Sequence, residues 1–487
     1  MKKILIFLFI GLYIVNASAA PKKLNIYISY CTFYSPKDGP YVETYFAYNG
    51  KTVNYQKNEN GLYQAKLEVL ILFKQNDTIK AFRKYNLFSP EMADTAGFNT
   101  LFRDEQRISV PNGDYSMEIS IKDAYGTEPA IMVAEPITID YSNESVQISG
   151  IELLQSVAKT TEVGINSKAG YILEPLPLNI YPTNVSKMLF YGEMYNMQSK
   201  LGDGSRYLFR TYVEDMITGR KIEGLLFQKR MDSKDIEAVI HEFDISNLLT
   251  GSYFLVLEIK DKDNNLLASN RVYFERWNDR EKSIEMIDEN FVAASFVRNI
   301  TQIDTLKEYI RCLRPISTEM EKSYIDNNIK TADLSLLQRY FLNFWLQRSE
   351  SAPESAWIEY YKQVIKVNAN FGTRIRKGYE TDRGRVYLMY GEPNTITEVP
   401  HEPAAYPYEI WHYYKVMNQS NRKFIFCNFD LVTNDYELIH SDAIGEIYDI
   451  NWKMKLLKRN FTTNSLDEQK PDFGWGSKVD DYFNTPR

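Results

Sequence analysis

Residues 371–414 read FGTRIRKGYETDRGRVYLMYGEPNTITEVPHEPAAYPYEIWHYY, and this stretch decides how the C-terminal half of the chain folds. From Arg385 the pattern takes a period of two. Val386, Leu388 and Tyr390 alternate with Tyr387 and Met389, which predicts a strand ended by Gly391-Glu392-Pro393. Glu409, Trp411 and Tyr413 alternate with Ile410 and His412 in a second strand. Residues 424–431 and 436–440 supply two more, on either side of a Thr433-Asn434-Asp435 turn. Short connections favour an antiparallel meander. Two glycines, Gly378 and Gly384, are read as backbone positions closed to other residues, with Asp382 capping the turn between helix and strand. In an extended strand Arg383 and Arg385 point the same way, as a fork for a carboxylate partner or as internal partners of Glu392 and Glu409.

Working backward, the period is helical. Helix formers fill 278–299 and 302–313, and Arg314-Pro315 stops the second of these. Leu334, Leu337, Phe341, Phe344, Trp345 and Arg348 keep helical spacing over 333–348. Ser351-Ala352-Pro353 opens a further helix over 351–369, whose Trp357, Tyr360, Tyr361, Val364 and Ile365 read as a packing stripe. Helices followed by a meander make this part α+β.

Before Trp277 the chain is β. Tyr63, Ala65, Leu67, Val69, Ile71 and Phe73 alternate with polar residues, and Asn49-Gly50 between 42–48 and 52–55 predicts a hairpin. Residues 113–123 (GDYSMEISIKD) recur as 251–261 (GSYFLVLEIKD), with Gly, Tyr, Ile, Lys and Asp in the same places. A Gly-x-Tyr opening of an alternating strand fits immunoglobulin-like sandwiches, where the Tyr hydroxyl bonds back to the backbone. Two tandem immunoglobulin-like β-sandwiches are therefore expected, the second opened by an extended edge strand over 175–182. The fold class is multidomain, β-rich and then α+β. The divisions are a leader at 1–19, sandwiches at 20–150 and 151–277, a helical segment at 278–370, an α+β unit at 371–450 drawing on helices from about 333, and a tail at 451–487. That tail is expected to fray, with docking through Trp475, Tyr482 and Phe483 as the alternative.

The leader has the form of an export signal: Lys2 and Lys3, an apolar run over 4–15, and Ala17-Ser18-Ala19 before the cut. Its apolar run is too short to span a bilayer comfortably, so the mature chain is expected to have no transmembrane helix. Losing Lys2 and Lys3 takes the net charge from −7 to −9, which gives no attraction for nucleic acid. Three distant cysteines, Cys31, Cys312 and Cys427, exclude a disulfide framework.

The histidines and carboxylates are the residues that could carry chemistry. His401, His412 and His440 fall in the last unit without metal-ligand spacing, so no metal or cofactor is expected. Asp382, Glu392, Glu402 and Glu409 cluster along the sequence, as a glycosidase pair or, more simply, as partners of Arg376, Arg383 and Arg385.

Gly378-Tyr379-Glu380-Thr381-Asp382, then Arg383-Gly384-Arg385 and Gly391-Glu392-Pro393, resemble the signature of the GWxTD domain family. Tyr408-Glu409-Ile410-Trp411, and Phe344-Trp345 with Arg348, are also similar to it, so the resemblance covers 334–441 well and the front half loosely. Tyr379 stands where the family has Trp, and His412 where an aromatic is expected. The resemblance implies an exported envelope protein, chiefly of Bacteroidetes and Acidobacteria, and assigns no activity. A weaker likeness of pattern, to the small outer-membrane assembly lipoproteins of the BamE type, also favours helices before a meander. The expected function is a non-enzymatic scaffold or interaction module, periplasmic, outer-membrane-associated or secreted, with a protein partner. Glycan binding or cleavage is the alternative. The residues expected to matter are Gly378, Tyr379, Thr381, Asp382, Arg383, Gly384, Arg385, Gly391, Glu392, Pro393, Glu409 and Trp411.

Overall fold

Alternating apolar residues in the first half of the chain form two β units, each built from two sheets on one core, in the computed structural model. The structure describes residues 24–484 apart from 76–77, 95, 163, 165–166, 177, 279–288, 403–404, 418, 450–451 and 458–477. The leader, Trp475 and the start of the helix expected over 278–299 lie outside the described residues.

The first unit contains β1 (Ile26–Ser35), β2 (Gly39–Asn49), β3 (Tyr55–Lys57), β4 (Tyr63–Gln75), β5 (Thr78–Phe88), β6 (Leu101–Ser109), β7 (Gly113–Asp123) and β8 (Ile131–Ile139). One sheet runs β1-β2-β6, and the other β3-β4-β7-β8 with β5 also on β4. Along β4, Ala65, Leu67, Val69, Ile71 and Phe73 are buried, as the alternation predicts. They meet Val42 and Phe46 of β2 and Met117, Ile119 and Ile121 of β7. No hairpin forms at Asn49-Gly50. Instead Asn49 caps a 3-10 turn over Gly50–Thr52, accepting from the Lys51 N–H at 3.0 Å, and the chain crosses to the other sheet. Glycine is needed there for space, since a Cβ at Gly50 would lie 2.7 Å from the Phe102 ring and from the Phe98 carbonyl.

The second unit contains β9 (Gln147–Ile148), β10 (Glu152–Lys159), β11 (Ser167–Lys168), β12 (Tyr171–Pro175), β13 (Ile180–Tyr181), β14 (Lys187–Tyr195), α1 (Met197–Leu201), β15 (Arg206–Asp215), β16 (Lys221–Asp232), β17 (Ile236–Asp244), β18 (Gly251–Lys260) and β19 (Leu266–Arg276). One sheet runs β11-β12-β10-β14-β17 with β9 on β14, and the other β13-β19-β18-β15-β16. The edge strand expected over 175–182 shrinks to Ile180–Tyr181, which pairs parallel to β19. The repeated segments are β7 and β18. The Tyr115 hydroxyl donates to the Pro111 carbonyl at 2.9 Å, and that of Tyr253 to the Leu249 carbonyl at 3.0 Å. Gly113 and Gly251 make room for these rings, as a Cβ on either would stand within 3.2 Å of its tyrosine.

The rest comprises α2 (Glu289–Ala293), α3 (Ile303–Arg311), α4 (Glu319–Asn328), α5 (Leu334–Arg348), α6 (Pro353–Phe371), α7 (Asp382–Tyr390), the antiparallel sheet β20 (Thr395–Val399), β21 (Tyr408–Val416), β22 (Gln419–Cys427) and β23 (Glu437–Ser441), then α8 (Trp452–Leu456) and α9 (Val479–Asn484). Helix α4 was not foreseen, although Thr318 and Glu321 form a full capping box. The strand expected over 385–390 is α7, and the meander begins instead at β20. Over so few residues both periods fit: Arg383, Val386, Tyr387 and Tyr390 also stand at i, i+3, i+4 and i+7. The ends decide it. Extended Thr381 accepts from the Gly384 N–H at 3.1 Å, and Gly391 closes the helix at φ +88°.

One face of the four-stranded sheet, with Trp411, Tyr413, Phe424 and Phe426, packs on the helices. The other, with Tyr408, Ile410, Ile425 and Ile439, is covered by α8 and by docked α9 through Trp452, Val479 and Phe483. The three parts touch. Met417, at φ +49° on the β21–β22 hairpin, packs on Tyr212, Met216, Phe254 and Val256 of the second unit. The Tyr448 hydroxyl donates to the Ala134 carbonyl of β8 at 2.6 Å. Between the β units, Lys168 bridges Glu152, at 2.7 Å, and Glu43, under the ring of Phe33.

Because the two tyrosine hydroxyls hold equivalent corners, Tyr115→Phe and Tyr253→Phe are each expected to cost about 1 kcal/mol, read by denaturant unfolding. A loss at one site alone would separate the two segments physically.

Candidate functional site

The signature residues converge on the junction of α6, α7 and the meander. Gly378 opens a 3-10 turn against α6, where an added Cβ would lie 2.1 Å from the Val367 carbonyl oxygen. At Gly384 it would lie 1.9 Å from the Gly378 carbonyl oxygen. Neither glycine has positive φ, so close backbone approach, not an unusual conformation, requires them. Of the three signature glycines, Gly391 alone needs glycine for its φ. Thr381, fully buried, also donates its hydroxyl to the Gly378 carbonyl at 2.8 Å.

Thr381, not Asp382, is the helix cap. Asp382 accepts from the Leu438 N–H at 2.8 Å and ties α7 to β23. Being helical, Arg383 and Arg385 sit about 200° apart around the axis and do not form a fork. Arg383 is buried, with Nη1 2.6 Å from Glu409 Oε1 and Nη2 2.5 Å from the Asn434 carbonyl. The rings of Tyr436 and Phe371 cover its guanidinium at 4.2 and 5.1 Å. The other Glu409 oxygen accepts from Trp411 Nε1 at 2.9 Å. Burial pushes the Glu409 carboxyl up, and the Arg383 charge opposes the rise. Arg385 instead grips Glu446 with two bonds of 2.8 and 2.7 Å, and the Tyr390 hydroxyl joins them at 2.8 Å.

Tyr379 is buried and donates its hydroxyl to Glu308 of α3 at 3.1 Å, so the aromatic plate of the signature seats on the helical layer. Its phenol is pushed up by burial first and by Glu308 second. Arg348 of α5 holds Glu321 of α4 at 2.8 Å while lying on the Phe344 ring. Of the turn, Gly391 accepts from the Tyr413 hydroxyl at 2.8 Å and Pro393 is buried. Glu392 is exposed and pairs with Lys366 at 3.0 Å, not with an arginine.

The four carboxylates singled out along the sequence do not meet. Glu402 accepts from the Tyr408 hydroxyl on the other face of the sheet. The histidines are also apart. His412 bonds Asn421, and His440 stacks on Trp452 while its Nδ1 accepts from the Asp449 N–H. Among the described residues no three His, Cys, Asp or Glu side chains could hold a metal ion. What lies open beside the signature is a cleft of about 330 Å³ lined by Tyr360, Gln363, Tyr387, Leu388, Gly391 and Glu392. The partners Glu308, Glu446 and Asn434 were not found from sequence, because no local pattern marks a partner dozens of residues away.

This convergence coincides with a family match: the GWxTD domain model matches residues 282–454. The chain belongs to the GWxTD domain-containing family. No curated protein matches it. Among solved structures, fibronectin(III)-like modules of Clostridium thermocellum CbhA match at 11% identity and TM-score 0.15, over 51% of this chain and 91% of theirs. A glycosyl hydrolase family 2 member from Bacteroides cellulosilyticus matches at 10% and 0.19, over 48% of this chain and 28% of its own. A β-glucuronidase 2 from Bacteroides uniformis matches at 8% and 0.18, over 50% and 28%. The chain thus spans well under a third of those two enzymes, and none of these likenesses bears on its function. Among the described residues, no helix is long and apolar enough to cross a membrane.

Two outcomes test the GWxTD junction. Arg383→Ala strands a buried Glu409 and is expected to cost about 3–5 kcal/mol, and Glu409→Gln on that background should recover part of it by removing the charge. For His440, burial holds the pKa down to about 4, below the ordinary 6.5. The folded protein then binds fewer protons there than the unfolded chain, so stability falls as pH drops from about 6.5 through 4. The loss is about 3 kcal/mol at most. His440→Phe should flatten that part of a stability–pH profile.

Proposed function

We propose that this protein is an exported, non-enzymatic scaffold of the cell envelope, in which two immunoglobulin-like sandwiches carry the GWxTD unit as a docking head for a protein partner. Export rests on the leader with Lys2, Lys3 and Ala17-Ser18-Ala19. The two tyrosine–backbone bonds support the sandwich reading. The signature residues support the rest by what they hold together: Arg383, Arg385, Asp382 and Tyr379 spend their polar groups inside the fold.

The observation that carries the docking head is a pair of loops on the GWxTD unit joined by Arg376 and Asp435 at 3.0 Å. On them Ile375 and Val432 stand 85% and 88% exposed, and Leu431 57%. Large apolar side chains held into solvent on fixed loops fit a partner interface. A benzophenone side chain placed at 375 or 432 should crosslink one defined envelope protein in living cells, and Ile375→Asp with Val432→Asp should abolish that adduct. Crosslinks only between copies of this chain, or adducts indifferent to both substitutions, would count against the reading.

A second reading, glycan binding, is favoured by the cleft beside Tyr387 and Glu392, where an aromatic ring, an amide and a carboxylate share one opening. Retention on peptidoglycan or polysaccharide that is lost in Glu392→Ala would favour it, and released reducing ends would make it an activity.

A further inference from the structure

Strand β5 is an open edge of the first unit. Among the described residues it forms a ladder with β4 alone. Strand β6 of the other sheet lies beside it, where the Tyr85 hydroxyl donates to Asp104 at 2.6 Å and Arg83 to Gln106 at 3.4 Å. No ladder joins the two, so the N–H and C=O groups of β5 that point away from β4 have no strand partner. Its sequence, TIKAFRKYNLF, carries Lys80, Arg83 and Lys84 and no carboxylate, in a chain of net charge −7. The register sets what lies beside this edge. Phe82 stands next to Leu72, and Lys84 next to Leu70, whose row continues through Ser120 to Met132. Val69, Ile71 and Phe73 point into the core, so Leu70 and Leu72 face outward with Phe82. Phe82 is 64% and Met132 45% exposed. The outer face therefore offers a short apolar strip bordered by lysines, next to unpaired backbone.

We propose that β5 is a strand-addition site for an extended acidic segment of a partner protein. Backbone pairing would supply the affinity, and side chains at alternate positions the choice of partner. An apolar residue of the added strand would cover Phe82, while carboxylates on the same face would meet Lys80 and Lys84. The same lysines and Arg83 disfavour a second copy of this chain, because pairing β5 with itself sets three cations against three. This site is separate from the Ile375–Val432 loops, so either docking surface stands or falls without the other.

The test uses the full chain and two labelled peptides, one repeating Glu-Thr-Val-Thr and one repeating Lys-Thr-Val-Thr, read by fluorescence anisotropy. The acidic peptide is expected to bind and to slow amide exchange along β5. Lys80→Glu with Lys84→Glu, both exposed and expected to leave the melting temperature unchanged, should weaken it about tenfold and take up the lysine peptide instead. Failure of the acidic peptide to bind, equal binding of both peptides by both proteins, or retention on phosphatidylglycerol vesicles without peptide binding would each overturn the proposal.

Discussion

The C-terminal unit depends on one buried ion pair. Arg383 leaves a helix and Glu409 a central strand, and they meet with almost no water around them. Such a pair is costly to bury and gives little net stability, so its contribution is orientation. It requires α7 to lie at one rotation and β21 at one register, because Glu409 must also take the Trp411 N–H and Arg383 must also reach the Asn434 carbonyl. Tyr436 and Phe371 then close over the guanidinium. The two glycines that let α7 come this close, Gly378 and Gly384, serve the same constraint from the backbone side.

From that junction the order propagates outward. Asp382 fixes the far strand, Arg385 fixes the turn that bears Glu446, and the next glycine, Gly445, lies against Met216 of the second β unit. The hairpin carrying Met417 inserts at the same place, beside a cleft of about 460 Å³. The GWxTD unit is therefore oriented against its neighbours by apolar seating and against itself by charge. What it turns to solvent, Ile375 and Val432 among others, is held by that internal frame.

Much of the architecture was legible in the residues. Strict alternation along β4 and the repeated Gly-x-Tyr segment located the β units, since one-sided burial of a sheet forces that pattern. The stripe on α6 and the proline at its first turn located that helix. Along β21, the two-residue spacing put Glu409, Trp411 and Tyr413 on one face of a strand; that Trp411 donates to Glu409 appears only in the structure. Residues 382–390 were misread, because nine residues satisfy both periods and the arbiter was a cap and a positive φ at the ends. The Asn49-Gly50 hairpin failed for a different reason: Phe102 and Phe98, from elsewhere in the unit, required glycine for space.

By itself the sequence determined the division into β-rich and α+β parts and the family signature. These are properties of local composition and period, which neighbouring residues carry. Only the tertiary structure decided that Arg383 and Arg385 serve opposite sides of a helix, that Asp382 bonds β23 and that Glu392 faces solvent with Lys366. Partners brought together across the chain leave no mark at either position. A buried charge is matched by geometry, and geometry exists only once the chain has folded.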